Sequence, residues 1–116
     1  MKRATDFPRI LLYRGIADMR KQSFGLAKLV EEELEESPFS DCLFVFCNRR
    51  RDIVKGVYFD RAGFCLWVKK LDKGRFPWLS KVGGKSVVVP ASDLELLFDG
   101  VDVFKRHEKL SFETLS

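Results

Sequence analysis

The sequence has few of the residues from which metal centres and disulfide frameworks are built. Its 116 residues include three cysteines and a single histidine, His107. No two cysteines form the CxxC pair of common zinc-binding motifs, so we expect no metal site. The cysteines are odd in number and lie in or beside apolar runs at Cys42, Cys47 and Cys65. We therefore expect buried or half-buried thiols in a reducing cytoplasm.

Long hydrophobic runs are also lacking. No stretch approaches the roughly 18 consecutive apolar residues of a membrane span, and the first residues do not resemble the apolar segment of a secretory signal. We expect a cytoplasmic protein with no membrane partner. The length predicts a single domain over residues 1–116, and the mixed polar residues at its end predict a frayed tail over about 104–116.

Catalytic signatures are scarce as well. There is no Ser-His-Asp or Cys-His arrangement beyond what the one histidine could supply, the aspartates have no spacing typical of a two-metal site, and no glycine-rich phosphate loop is present. We therefore predict no catalytic residues and no cofactor. A small basic ribonuclease of the toxin type, working with Arg, Lys and Tyr alone, is the alternative enzyme function.

What the chain does have is a middle segment of three short apolar runs separated by polar turns. The runs are Leu43–Phe46, Ile53–Phe59 and Phe64–Val68, and the turns are Asn48–Asp52 and Asp60–Gly63. Aromatic and β-branched runs bounded by Asn, Asp and Gly are typical of antiparallel strands. This pattern predicts a three-stranded meander at the centre of a sheet.

Further strands and two helices are predicted on either side of the meander. The strands are Ile10–Tyr13 and Ser86–Val89. Apolar residues at helical spacing predict a helix over about 23–36. A capping-box pattern starting at Ser92, with Gly100 beyond the end, predicts a second helix over about 92–99. The predicted fold class is α+β, a mostly antiparallel β-sheet with two helices packed on it.

Charge is unevenly distributed along the chain. The net charge is +4, but Lys and Arg concentrate between residues 49 and 85 and glutamates between residues 31 and 36. Basic groups at a hairpin turn and a strand exit can reach phosphates, so they predict a site for nucleic acid or a partner protein. A charged turn that serves only solubility is the alternative. The candidate residues are Arg49, Arg50, Arg51, Lys55, Lys69, Lys70, Lys73 and Arg75.

A second candidate surface precedes the first helix. Asp18, Arg20 and Lys21 gather there, and a helix N-cap with solvated neighbours is the alternative. The glutamates at the end of that helix form either a solvated outer face or an acidic patch for a basic partner. A pure protein-interaction module, the other alternative function, would use these glutamates and the basic hairpin as paired docking faces.

A series of ordered motifs carries a family resemblance. The motifs are Gly15–Lys21, Gly25–Leu26, Pro38–Ser40, Leu43–Asp52, Lys55–Asp60, Gly63–Trp67, Lys69–Phe76 and Leu94–Gly100. Together, from about Ile10 to Val103, they resemble the TnpB-type accessory proteins encoded by the second open reading frame of IS66-family insertion sequences. The sequence departs from the family pattern at Phe24, Phe59, Lys70 and Asp72, where Asp, Trp, Arg and Glu are common.

The resemblance implies a part in DNA transposition beside a separate, larger transposase that holds the catalytic carboxylates. We therefore expect a non-catalytic accessory factor whose partners are that transposase and the DNA of the transposon ends. The sequence leaves open whether the basic residues meet DNA, RNA or an acidic protein surface. It also leaves the oligomeric state open.

Overall fold

The computed structural model describes residues 2–78 and 84–103. Within these ranges, a 3-10 turn at Ala4–Asp6 precedes five strands and two α-helices. In chain order these are β1 (Arg9–Ile16), α1 (Ser23–Glu33), β2 (Cys42–Cys47), β3 (Ile53–Asp60), β4 (Gly63–Lys70), β5 (Ser86–Val89) and α2 (Ala91–Phe98). None of the helices in these ranges is long and apolar enough to cross a membrane. The tail predicted over 104–116 lies outside the described residues.

The five strands form one sheet in the order β4-β3-β2-β1-β5. β1 and β2 are parallel, and α1 supplies the crossover that a parallel pair needs. All other neighbours are antiparallel, which confirms the α+β class and the predicted meander of β2, β3 and β4. Because β1 and β5 add to the β2 side, β2 is the middle strand and the meander forms one half of the sheet.

Helices cover both faces of the sheet. On one face, α2 packs against a core that includes Leu12, Val45 and Tyr58. On the other, α1 packs against Leu11 and Phe44. The alternation follows from the period of two along a strand. A strand that is covered on both faces typically has a continuously apolar sequence. All six residues of β2 are buried.

The cysteines are free thiols. Cys42 and Cys47 are buried in β2, and Cys65 is half-buried in β4, as the sequence predicts. Burial raises the pKa of the Cys42 thiol to about 11 and that of the Cys47 thiol to about 12, since a thiolate loses its hydration there.

The helix ends differ in part from the predicted ones. α1 ends at Glu33 instead of residue 36, and Glu35 beyond it has a left-handed φ of 54°. α2 begins at Ala91 with Pro90 as its N-cap and no capping side chain, so the predicted capping box at Ser92 is wrong. Proline fixes an extended cap two residues earlier, which places Ser92 inside the first turn.

The end of α2 is the predicted one. Gly100 has a φ of 89°, and its N–H donates to the carbonyl of Leu97 at 3.1 Å. The N–H of Val101 donates to the carbonyl of Leu96 at 3.0 Å. These two bonds form a Schellman motif, which favours glycine at this position.

Candidate nucleic-acid interface

The turn between β2 and β3 is built by an asparagine and presents three arginines. The Asn48 side-chain oxygen accepts hydrogen bonds from the backbone N–H groups of Asp52 at 3.0 Å and Ile53 at 3.1 Å. Its amide nitrogen donates to the Asp52 carboxylate at 2.6 Å. Asparagine side chains commonly hydrogen-bond to nearby backbone groups and so favour turns. The fixed backbone leaves the side chains of Arg49, Arg50 and Arg51 exposed.

The segment that follows β4 folds back against this turn. The N–H of Leu71 donates to the carbonyl of Asp52 at 2.8 Å, and the N–H of Phe76 donates to the carbonyl of Arg51 at 2.6 Å. Phe76 is buried in the core and anchors the segment. The exposed cations of this segment and of the end of β4 therefore lie beside the turn; they are Lys69, Lys70, Lys73 and Arg75.

The second candidate surface lies at the same end of the sheet. Because β1 and β2 are parallel, Ile16 pairs with Cys47, and the N–H of Ala17 donates to the carbonyl of Cys47 at 3.0 Å. The loop over residues 17–22 therefore begins next to the arginine turn. We name this combined surface, formed by loop 17–22, turn 48–52 and segment 69–75, the basic end of the sheet.

Within that loop, Asp18 and Arg20 are paired with each other. The Asp18 carboxylate accepts hydrogen bonds from Arg20 Nη2 at 2.7 Å and Arg20 Nε at 3.0 Å. These bonds, and a further one from the Arg20 backbone N–H, lower the pKa of Asp18 to about 2. The alternative of a helix cap is wrong, since Gln22 is the N-cap of α1 and makes no side-chain capping bond. Lys21 is exposed beside this pair.

Lys55 does not belong with the exposed cations. Its side chain is 6% exposed, and its ammonium donates to the backbone carbonyls of Met19 at 2.7 Å and Lys21 at 2.9 Å. An amine held in this way does not reach a phosphate, so the candidate role of Lys55 is corrected. It fastens loop 17–22 to β3. The sequence does signal this burial, because Lys55 lies inside an apolar strand run and not in a turn.

Lys69 and Lys70 lie on opposite faces of β4. The Lys69 ammonium lies over the Phe98 ring of α2, 4.8 Å from its centroid, which is a cation–π contact. Lys70 follows it by one residue and so points to the α1 face. The basic end therefore carries positive charge around both faces of the sheet edge.

Sequence reasoning missed Arg14 as a neighbour of this region. Its guanidinium donates to the carbonyl of Gly84 at 2.8 Å, and its N–H donates to the carbonyl of Lys85 at 2.8 Å. The antiparallel pairing of β1 with β5 brings these residues to the same end. No local pattern signals a contact between positions so far apart in the sequence.

The glutamates near the end of α1 make ion pairs within the chain. Glu36 pairs with Arg9 at 2.9 Å and Glu33 with Lys85 at 3.9 Å. The Glu36 pair raises the pKa of the Arg9 guanidinium. Part of the acidic run therefore joins the end of α1 and the residues after it to Arg9 of β1 and to Lys85, which precedes β5.

The spacing of potential ligands gives no metal cluster in the part of the chain that the structure describes. Within residues 2–78 and 84–103, no group of three or more His, Cys, Asp or Glu side chains is placed to hold an ion.

Comparison with known proteins gives a family match over most of the chain. A family model described as IS66 Orf2 like protein matches residues 8–108. Two proteins of Sinorhizobium fredii (strain NBRC 101917 / NGR234) are similar over 94 residues, about four-fifths of each chain. Uncharacterized protein y4hO is 39% identical and uncharacterized protein y4jC is 31% identical. No solved structure gives a significant match.

Proposed function

Because the chain belongs to the IS66 Orf2-like family of insertion-sequence proteins, we propose that it is a non-catalytic accessory factor of transposition that binds DNA through the basic end of the sheet. One observation carries the proposal. Segments 49–51 and 69–75, which are separated in sequence, meet at one end of the sheet with their cations exposed.

The geometry of the basic end suits a phosphate backbone. Three adjacent arginines project from a fixed turn, and lysines flank them on both faces of β4. Arginine binds phosphate with two parallel N–H bonds, and each phosphate neutralised releases counterions. A tight turn is too short to fill a major groove by itself. Phosphate contact therefore contributes more than the recognition of base edges.

In transposition, the partners of this chain are the DNA of the transposon ends and the transposase of the element. The same exposed cations could dock on an acidic face of that transposase. Both versions need the arginine turn, and only the first needs DNA to bind when the transposase is absent.

A gel-shift experiment on DNA of the terminal inverted repeats separates these versions. The purified chain alone should shift the DNA. Replacing Arg49, Arg50 and Arg51 together with Ala should weaken binding about tenfold or more, since phosphate contacts are lost. The matched control replaces Arg3, Arg9 and Lys28 with Ala, which removes the same charge at exposed positions away from the basic end. It should stay within about threefold of the wild type.

Three outcomes would contradict DNA binding by this surface. The first is equal weakening by both triple variants, and the second is a shift unchanged by loss of the turn arginines. The third is the absence of any shift by the wild type, together with arginine-dependent co-purification with transposase, which would favour protein docking.

A further inference from the structure

The outer edge of β4 faces solvent, yet most of its side chains are apolar. β4 is an end strand, and no further strand pairs with it among the residues that the structure describes. An unpaired edge presents backbone N–H and C=O groups to which another strand can add. Val68 on β4 is 55% exposed, and Phe24 at the start of α1 is 77% exposed.

These exposed side chains belong to one apolar row along the edge. Phe64, Leu66 and Val68 occupy alternate positions of β4 and so point to the same face, the one that α1 covers. Phe64 and Leu66 pack against the core beneath α1. Phe24 meets Phe64 edge-on, with ring centroids 5.7 Å apart. Phe24 therefore lies at one end of the row and Val68 at the other.

We infer that this edge is the interface between two copies of the chain, joined by antiparallel pairing of β4 with β4 of the second copy. A two-fold axis at Leu66 places Phe64 of one copy opposite Val68 of the other. Directly opposed residues of an antiparallel pair touch on the same face. Phe24, which contacts Phe64, then covers Val68 of the second copy. One contact buries both exposed side chains.

The charges at this edge fit a second copy of the same chain. The charged residues of β4 are Lys69 and Lys70, at its C-terminal end. Antiparallel pairing separates them from their counterparts and brings them beside the β3–β4 turn of the other copy, which carries Asp60 and Arg61. Asp60 lies on the α2 face, as Lys69 does, so these two opposite charges come together. Gly63, which pairs with Asp60, has nothing within 4 Å of its Cβ position, so a lysine side chain has room there. Such self-complementarity is what a two-fold interface requires.

This inference does not depend on DNA binding. It does affect how the basic ends are arranged, because antiparallel pairing reverses the strand direction between the copies. The two basic ends of the dimer point away from each other.

Sedimentation equilibrium of the full chain tests the interface. The wild type should have twice the chain mass of 13.4 kDa. Val68→Glu should raise the dimer dissociation constant by about 100-fold or more, because each introduced carboxylate would lose its hydration against the Phe64 and Phe24 rings of the other copy. The control is Val88→Glu on the opposite edge strand β5. Val88 is also 55% exposed, and its substitution should leave the dimer intact.

Hydrogen exchange of the β4 amides identifies which surface is covered. In the dimer these amides should be protected, and protection of the outward-facing ones should be lost in Val68→Glu. A monomeric wild type would overturn the inference, whether or not its β4 amides are protected. A dimer whose outward β4 amides exchange freely, or one that Val88→Glu dissociates and Val68→Glu does not, would overturn it equally.

Discussion

Lys55 and Lys69 lie on adjacent strands, yet their ammonium groups have different environments. The Lys55 amine is buried and donates to two backbone carbonyls of loop 17–22, whereas Lys69 is exposed and lies over the Phe98 ring. Strand parity decides this difference, because the two side chains point to opposite faces. The place of Lys55 inside an apolar strand run is a sequence signal of burial, and the packing of loop 17–22 on β3 assigns it a structural role.

At this scale we expect Lys55→Met to destabilise the fold. The substitution keeps an unbranched side chain and removes two charge-assisted hydrogen bonds, so the free energy of unfolding should fall by about 1–3 kcal/mol. The control is Lys73→Met, an exposed lysine of the basic end, which should change stability by less than about 0.5 kcal/mol. Urea denaturation measures both. Equal stabilities of the two variants would mean that the Lys55 amine does not fasten the loop.

At the scale of elements, the pairing of β3 with β4 depends on a glycine beneath a tryptophan. Gly56 pairs with Trp67, and a Cβ atom at Gly56 would lie 2.5 Å from Trp67 Cε2. The indole in turn packs against Phe98 of α2, with centroids 5.8 Å apart. A ring laid over a strand glycine fixes the register of the pair and links the meander to the second helix.

We expect Gly56→Ala to lower the free energy of unfolding by about 1–3 kcal/mol, since the added methyl must displace the indole or the strand. Gly63→Ala is the matched control in the same hairpin, because nothing lies within 4 Å of its Cβ position. It should change stability by less than about 0.5 kcal/mol. Thermal unfolding followed by tryptophan fluorescence compares the two. A Gly56→Ala variant as stable as the control would show that Trp67 is not packed on Gly56.

Much of this element structure could be predicted from the sequence. The strands β2, β3 and β4 are apolar runs between turn residues, and Gly100 marks the end of α2 through a local backbone requirement. The parallel pairing of β1 with β2 has no local signal, because it depends on how α1 crosses the sheet. The predicted start of α2 is wrong because Pro90, and not Ser92, is the N-cap residue.

At the scale of the whole molecule, the candidate site is a product of topology. The turn arginines and the cations that follow β4 are near each other in any hairpin of this register, so the sequence could predict that half of the site. Loop 17–22 and Arg14 join them only because β1 lies between β2 and β5. Strand order is a property of the whole fold, so local sequence patterns could not predict that loop 17–22 and Arg14 join the site.

The salt dependence of binding to duplex DNA tests the role of the basic end most directly. If about half of the seven cations of turn 48–52 and segment 69–75 touch phosphates, log affinity against log salt should have a slope on the order of −3 to −4. Lys73→Ala should flatten the slope by about one unit and weaken all sequences alike. Lys28→Ala, which removes an exposed lysine of α1, should leave it unchanged. A slope near zero, or equal flattening by the two variants, would contradict phosphate binding by the basic end.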